Sequence, residues 1–258
     1  MTRSSGGGPY QIGVLDRIDG ILMAVAHNPA TPSELANTLD LEVKTAYRII
    51  RSLESKGYLR RLSDRRYAIG YKALSLSQSV VDSVEILAAS PAVLRKLGIA
   101  TQETAFLVIR ENYEAICIDV ATSPQPLRLA VGFGLRRGLT TGAASKALLS
   151  HAPSDVVEAL LSEDLPAITE NSIVDPVELR LELKGIRECG YAISDSEYTM
   201  GAGSVAAPVV SSQGIVYAAV AIGGPASRVL REGRQANIET VVAAARGLQQ
   251  MLSAEHSE

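Results

Sequence analysis

Residues 31–57 read TPSELANTLDLEVKTAYRIIRSLESKG, and this run sets the architecture of the chain around it. Thr31 is placed to cap a helix, Pro32 suits the first helical position, and Glu34 stands three residues after the cap. The spacing predicts a short helix to about Leu39, with Asp40-Leu41 as a tight turn. A second helix is expected from near Glu42 to Lys56, stopped by Gly57. Its apolar stripe is Val43, Ala46, Ile49, Ile50 and Leu53. Its opposite face carries Lys44, Thr45, Tyr47, Arg48, Arg51 and Ser52, with residues 44, 48 and 51 in one cationic stripe. Two helices, a tight turn and a basic second helix make a helix-turn-helix layout.

Upstream, Leu15–Ala26 predicts a helix with Leu15, Ile18, Leu22 and Val25 inward, ended by Asn28-Pro29. Downstream, Tyr58–Leu62 and Tyr67–Ile69 read as two short strands joined by Ser63-Asp64-Arg65-Arg66, a hairpin with cations at its tip. This completes a winged helix-turn-helix. A basic helix of this kind fits the major groove, where Arg and Lys reach guanine edges and phosphates. Double-stranded DNA is therefore the expected partner. The contacting set is Ser33, Lys44, Thr45, Tyr47, Arg48 and Arg51, with Arg65 and Arg66 at the wing.

Bulk properties agree with a two-part chain. Its 258 residues suit two modest domains, and 47% hydrophobic content without Trp implies cores of Ala, Val, Leu and Ile. Residues 1–75 hold 11 Lys and Arg against 7 Asp and Glu, a net +4; the remainder hold 14 against 21, a net −7. A polyanion partner for the first part explains the asymmetry. The Ser- and Gly-rich Met1–Pro9 lacks the apolar run of a signal, no stretch is long and apolar enough to span a membrane, and cytoplasmic localisation is expected.

Beyond residue 71 the layout predicts a helical connector over Tyr71–Ala88 and another helix from Pro91. Strands are expected at Thr104–Ile109, Ala115–Val120, Leu127–Val131, Tyr191–Ser194, Val205–Val210 and Ile215–Ile222. Helices are expected at Ala143–Leu149, Pro153–Leu161 and from Pro176 to Glu188, with a long last helix turning Ile238, Val241, Val242, Ala245, Leu248 and Leu252 inward. The fold class is α+β: a mostly antiparallel sheet flanked by helices follows the winged domain. The divisions are an arm over 1–11 expected to be disordered, a winged helix-turn-helix over 12–71, a linker helix over 72–89 and a larger domain over 90–255.

Several segments in order resemble the IclR family of transcriptional regulators. In the first domain these are Val14-Leu15-Asp16-Arg17, Pro32-Ser33-Glu34-Leu35-Ala36, Lys44-Thr45-Ala46-Tyr47-Arg48, Leu53-Glu54-Ser55-Lys56-Gly57-Tyr58 and Arg66-Tyr67-Ala68-Ile69-Gly70. In the second they are Ser123–Arg128, Ser145–Leu149, Ile186–Ala192, Ser204–Val209 and Gly223–Arg228. The chain departs from the family pattern at Asp64-Arg65, where Asp-Gly is usual, at Gly223-Gly224-Pro225 for Ser-Gly-Pro, and at Ser145 for Gly.

The resemblance implies a GAF-like effector domain, a small-molecule effector held in a cup beside the sheet, and a homodimer or homotetramer. The matching cup positions are Leu127, Leu129 and Val131; Thr141, Gly142, Ala143 and Ala144; Asp195, Ala202 and Ser204; and Ala221 with Gly223. Backbone N–H groups at the start of the helix there favour an anion. Ala221 and Gly223, neither Ser nor Cys, hint at a larger or aromatic effector, so a small organic acid or aromatic metabolite is expected. The competing reading is an enzyme on a sensor-type fold. No nucleophile–base pair, metal cluster or phosphate loop supports it, so no catalytic residue, metal or cofactor is expected. Cys117 reads as a packing residue between Ile116 and Ile118, Cys189 as a helix-end residue, and His151 as a helix-end group interacting with the dipole.

Overall fold

The computed structural model describes residues 13–83, 85–211 and 213–255; the arm expected over 1–11 lies outside them. The chain divides between Ser83 and Val84 into two compact units.

The first unit runs α1 (Gly13–His27), α2 (Pro32–Thr38), α3 (Val43–Ser55), β1 (Leu59–Arg61), β2 (Tyr67–Ile69) and α4 (Lys72–Ser83). The capping box forms as expected: Glu34 N donates to Thr31 Oγ1 at 3.3 Å, and Thr31 N donates to Glu34 Oε2 at 2.7 Å. Asp40 makes the turn into α3 with φ +49°, backbone that Asp tolerates better than most residues. Gly57, at φ +80°, stops α3. Ile21, Val25, Leu35, Ile49, Ile50, Leu53, Leu59 and Tyr67 form the core.

Two expected inward residues point out. Leu15 is 55% and Val43 50% exposed. Both stand in the first turn of their helices, and burial starts only further along, at Ile21 in α1 and Ala46 in α3. Strands β1 and β2 pair antiparallel with Leu59 opposite Ile69 and Arg61 opposite Tyr67. Ala30 adds an isolated bridge to Tyr67, joining the α1–α2 connection to the wing.

The second unit is a six-stranded antiparallel sheet between two helical layers. The strands are β3 (Thr104–Glu111), β4 (Glu114–Ala121), β5 (Arg136–Gly138), β6 (Ala192–Asp195), β7 (Ala202–Val210) and β8 (Val216–Pro225), in spatial order β5-β4-β3-β8-β7-β6. Alternation sends Ala105, Leu107, Val220 and Ile222 to one face, where α5 (Glu85–Thr101) and α9 (Arg234–Glu255) cover them with Leu94, Leu97, Val241 and Leu248. It sends Phe106, Val108, Ala219 and Ala221 to the other, which faces α6 (Ala143–Leu149), α7 (Ser154–Leu161) and α8 (Pro176–Cys189). Asp175 caps α8 through Val177 N, and Gly190 closes it at φ +79°.

The sheet holds two differences from expectation. Residues 127–131 form a loop rather than a strand, and the strand beside β4 is Arg136–Gly138. Pro124 and Pro126 lie just before that loop and Gly132 and Gly134 just after it, which disfavours a continuous ladder. The helix expected to begin at Pro91 instead runs from Glu85 through it.

Candidate ligand cavity and nucleic-acid face

On the α6 side of the sheet lies a cavity of about 70 Å³, room for roughly five waters at about 10–15 Å³ each. Its apolar wall is Phe106 and Val108 from β3, Ala115 and Cys117 from β4, and Leu129, Val131 and Leu135 from the loop leading to β5. Thr141, Gly142, Ala143, Ala144 and Ser145 enter from the start of α6; Ser194, Tyr198, Thr199, Ala202, Gly203 and Ser204 close the opposite side.

The structure thus brings Leu129, Val131, Thr141, Gly142, Ala143, Ala144, Ala202 and Ser204 of the expected set to one cavity. The other four stand elsewhere. Leu127 is 70% exposed, and its carbonyl accepts from Arg228 Nη2 at 2.9 Å. Asp195 pairs outward with Arg231 at 3.2 Å. Ala221 is sealed beneath the cavity wall, and Gly223 lies directly under the Leu129 side chain, which occupies the space a Cβ would need.

Sequence reasoning missed Arg137. Strand β5 pairs with β4 so that Arg137 stands opposite Ala115 and Arg136 opposite Ile116. Alternation therefore turns Arg136 to Glu111 and Glu114 and turns Arg137 to the cavity. The Arg137 guanidinium lies 3.8 Å from the Tyr198 ring centroid, and its Nε has no hydrogen-bond partner. Burial presses its pKa below the ordinary arginine value. The Thr141 Oγ1 is likewise without a partner, in a residue 5% exposed. The available signal was two adjacent arginines in Leu135-Arg136-Arg137-Gly138-Leu139, which a strand must send to opposite faces.

The Tyr198 side of the cavity is held by a buried ion pair. Lys146, 1% exposed, donates to Glu197 Oε1 at 2.6 Å and to Glu182 Oε1 at 3.0 Å. Glu197 Oε2 accepts the Gly142 N–H at 3.1 Å, while Thr169 and Ser172 hydroxyls donate to the Glu197 carbonyl. The Gly142 N–H expected to face an anionic ligand is thus engaged by the protein's own carboxylate. Cys117 is buried, and that burial pushes its thiol up to about 11, leaving it protonated at neutral pH. Among the described residues, no group of three or more His, Cys, Asp or Glu is placed to hold a metal, and no helix is long and apolar enough to cross a membrane.

The other candidate surface belongs to the first unit. Lys44, Tyr47, Arg48, Arg51 and Ser52 are exposed on α3, Thr45 is half-buried, and Ser33 is exposed at the start of α2. Among the described residues Lys44 and Arg48 form no ion pair, whereas Arg51 meets Glu54 at 2.9 Å. At the wing, Arg66 pairs with Asp64 at 2.6 Å, and exposed Arg65 has no acidic partner among the described residues. Of the expected contact cations, those left without an ion pair among the described residues are therefore Lys44, Arg48 and Arg65.

The chain is similar to known transcriptional regulators. Residues 78–250 match the family described as bacterial transcriptional regulator IclR, C-terminal. The HTH-type transcriptional repressor AllR of Klebsiella pneumoniae is 30% identical over 199 residues, 76% of this chain and 73% of the relative. An IclR transcriptional regulator from Alicyclobacillus acidocaldarius superposes with a TM-score of 0.80 at 26% identity, over 94% of this chain and 99% of that one. An IclR homologue from Microbacterium hydrocarbonoxydans, solved in complex with 4-hydroxybenzoate, shares the fold with a TM-score of 0.82 at 22% identity, over 94% and 100% of the two chains.

Proposed function

Because this chain belongs to the IclR family of bacterial transcriptional regulators, we propose that occupancy of the cavity in its second unit by a small organic acid or aromatic metabolite changes how α3 of its first unit binds DNA. The chain is a ligand-responsive, DNA-binding transcription regulator. Its DNA surface is Ser33, Lys44, Thr45, Tyr47, Arg48 and Arg51 with Arg65 and Arg66. Its effector surface is Leu129, Val131, Thr141 to Ala144, Ala202 and Ser204. Two copies would set their α3 helices in successive major grooves, about 34 Å apart, and the effector would shift the population between states that do and do not fit that spacing.

The observation that carries this reading is the pairing, in one chain, of a basic helix face left free of most acidic partners with a mainly apolar cavity lined by residues that carry unsatisfied polar atoms. The apolar wall suits a compact hydrocarbon body, and a structural neighbour is a complex with an aromatic acid. The protonated Cys117 supports a regulator over a thiol enzyme.

A thermal-shift screen of carboxylic acids and aromatics tests the ligand half. A ligand at 100 times its Kd stabilises by about 2.7 kcal/mol. A hit should also alter the affinity of the full chain for DNA selected from random sequence. A hit that stabilises the protein and leaves DNA affinity untouched would refute the coupling.

A further inference from the structure

Resting on the reading of the cavity as the effector site, we propose that Arg137 anchors the effector's carboxylate, with the Thr141 hydroxyl as second donor, and that the effector is a monocarboxylate with a compact apolar body. The start of α6 is the alternative anchor; its Gly142 N–H already serves Glu197, and it offers no side-chain charge, whereas Arg137 does. Two residues that line the cavity each carry a buried polar atom without any partner: Arg137 Nε and Thr141 Oγ1. Buried donors left unsatisfied cost free energy, so a pair of them in one cavity marks where an acceptor belongs.

A carboxylate satisfies both at once. One oxygen takes the guanidinium N–H and the other the hydroxyl, and the interaction with Arg is charge-assisted. Tyr198, stacked on the guanidinium at 3.8 Å, holds its plane beside the cavity that both residues line. The charge count sets the ligand's valence. Arg137 is the one charged residue among those lining the cavity, since Lys146 is spent on Glu182 and Glu197 outside that lining. A second carboxylate would meet apolar wall or neutral hydroxyls, which disfavours a dianion. Phe106, Val108, Leu129 and Val131 then receive the hydrocarbon.

Calorimetric titration of the full chain with benzoate, phenylacetate, benzamide and phenylacetamide tests this. At least one acid should bind, and its amide should bind at least about tenfold more weakly. Arg137→Gln should weaken the acid by about 10- to 100-fold and bring it level with its amide. Arg137→Lys should restore part of the difference, and Thr141→Val should weaken the acid about 3- to 10-fold. Failure of every acid to bind, equal binding of acid and amide, or unchanged acid affinity in Arg137→Gln would overturn the anchor. Ala202→Phe separates this from the cavity reading by filling the space. Acid binding lost in Ala202→Phe yet kept in Arg137→Gln removes the anchor alone, whereas acid binding unchanged in Ala202→Phe removes the cavity as the effector site.

Discussion

Arg65 holds the tip of the β1–β2 hairpin at φ +67°, a left-handed conformation that strains any residue with a Cβ. The turn thus keeps a backbone suited to glycine while carrying a cation into the wing. Arg65→Gly removes roughly 1 kcal/mol of strain and frees the unfolded chain by roughly as much. Thermal melts should therefore move little. DNA affinity should fall equally on selected and scrambled sequences, because a phosphate contact carries no sequence information. A loss confined to the selected sequence in a competition titration would assign Arg65 to base reading instead.

His151 offers a pH test at the same scale. The dipole at the end of α6 would raise its pKa, but burial and then the nearby Arg187 charge hold it below its ordinary 6.5. Its folded pKa is depressed, so between that value and 6.5 the unfolded chain binds the proton more readily. Stability therefore rises with pH across that window and is lost as pH falls through it. His151→Gln should flatten the melting temperature against pH between about 7 and 5; an unchanged slope would place the titration elsewhere.

Among elements, the β8 end and the loop above it divide into a yielding side and a rigid one. A Cβ at Gly223 would meet the tip of Leu129, a flexible side chain over the cavity, whereas a Cβ at Gly224 would run into the Glu103 carboxylate. Glu103 is buried and paired with Arg228, which also holds the Leu127 carbonyl. Gly224→Ala should thus destabilise by about 1–3 kcal/mol, as overpacking against a held group does, and by more than Gly223→Ala. Gly223→Ala should cost about 1 kcal/mol, the low end of that range, and shift ligand affinity by moving Leu129. Equal losses in denaturant titrations would contradict this division. On α3, Arg48→Ala should weaken selected DNA by roughly 1–3 kcal/mol while leaving scrambled DNA less affected, and equal loss on both would remove its base-reading role.

The elements that sequence made legible are those with local signals. The Thr31–Glu34 box, the Ile49–Leu53 stripe and Gly57 each act within a few residues, and the winged domain follows from them. Strand β5 was hidden because it is three residues long and defined by pairing with β4, about twenty residues earlier. Arg137 was lost with it. Asp195 and Leu127, expected at the cup, do not line the cavity: Asp195 pairs with Arg231, and Arg228 holds the Leu127 carbonyl, contacts that sequence periodicity does not reveal.

At the scale of the molecule, a basic DNA-binding part and an acidic ligand-binding part share one chain, at +4 and −7 by sequence. That division lets DNA affinity depend on salt through a few cations while ligand affinity rests on a mainly apolar cavity. Coupling then requires that the ligand bind differently to the DNA-competent and DNA-incompetent states. The most direct measurement is the anisotropy-measured Kd of the full chain for its selected DNA, with and without a saturating acid that binds the wild type, repeated for Ala202→Phe. A Kd that changes at least fivefold with the acid in wild type, and not in Ala202→Phe, is the predicted result. The same Kd with and without saturating acid in wild type, or an undiminished response in Ala202→Phe, would contradict it.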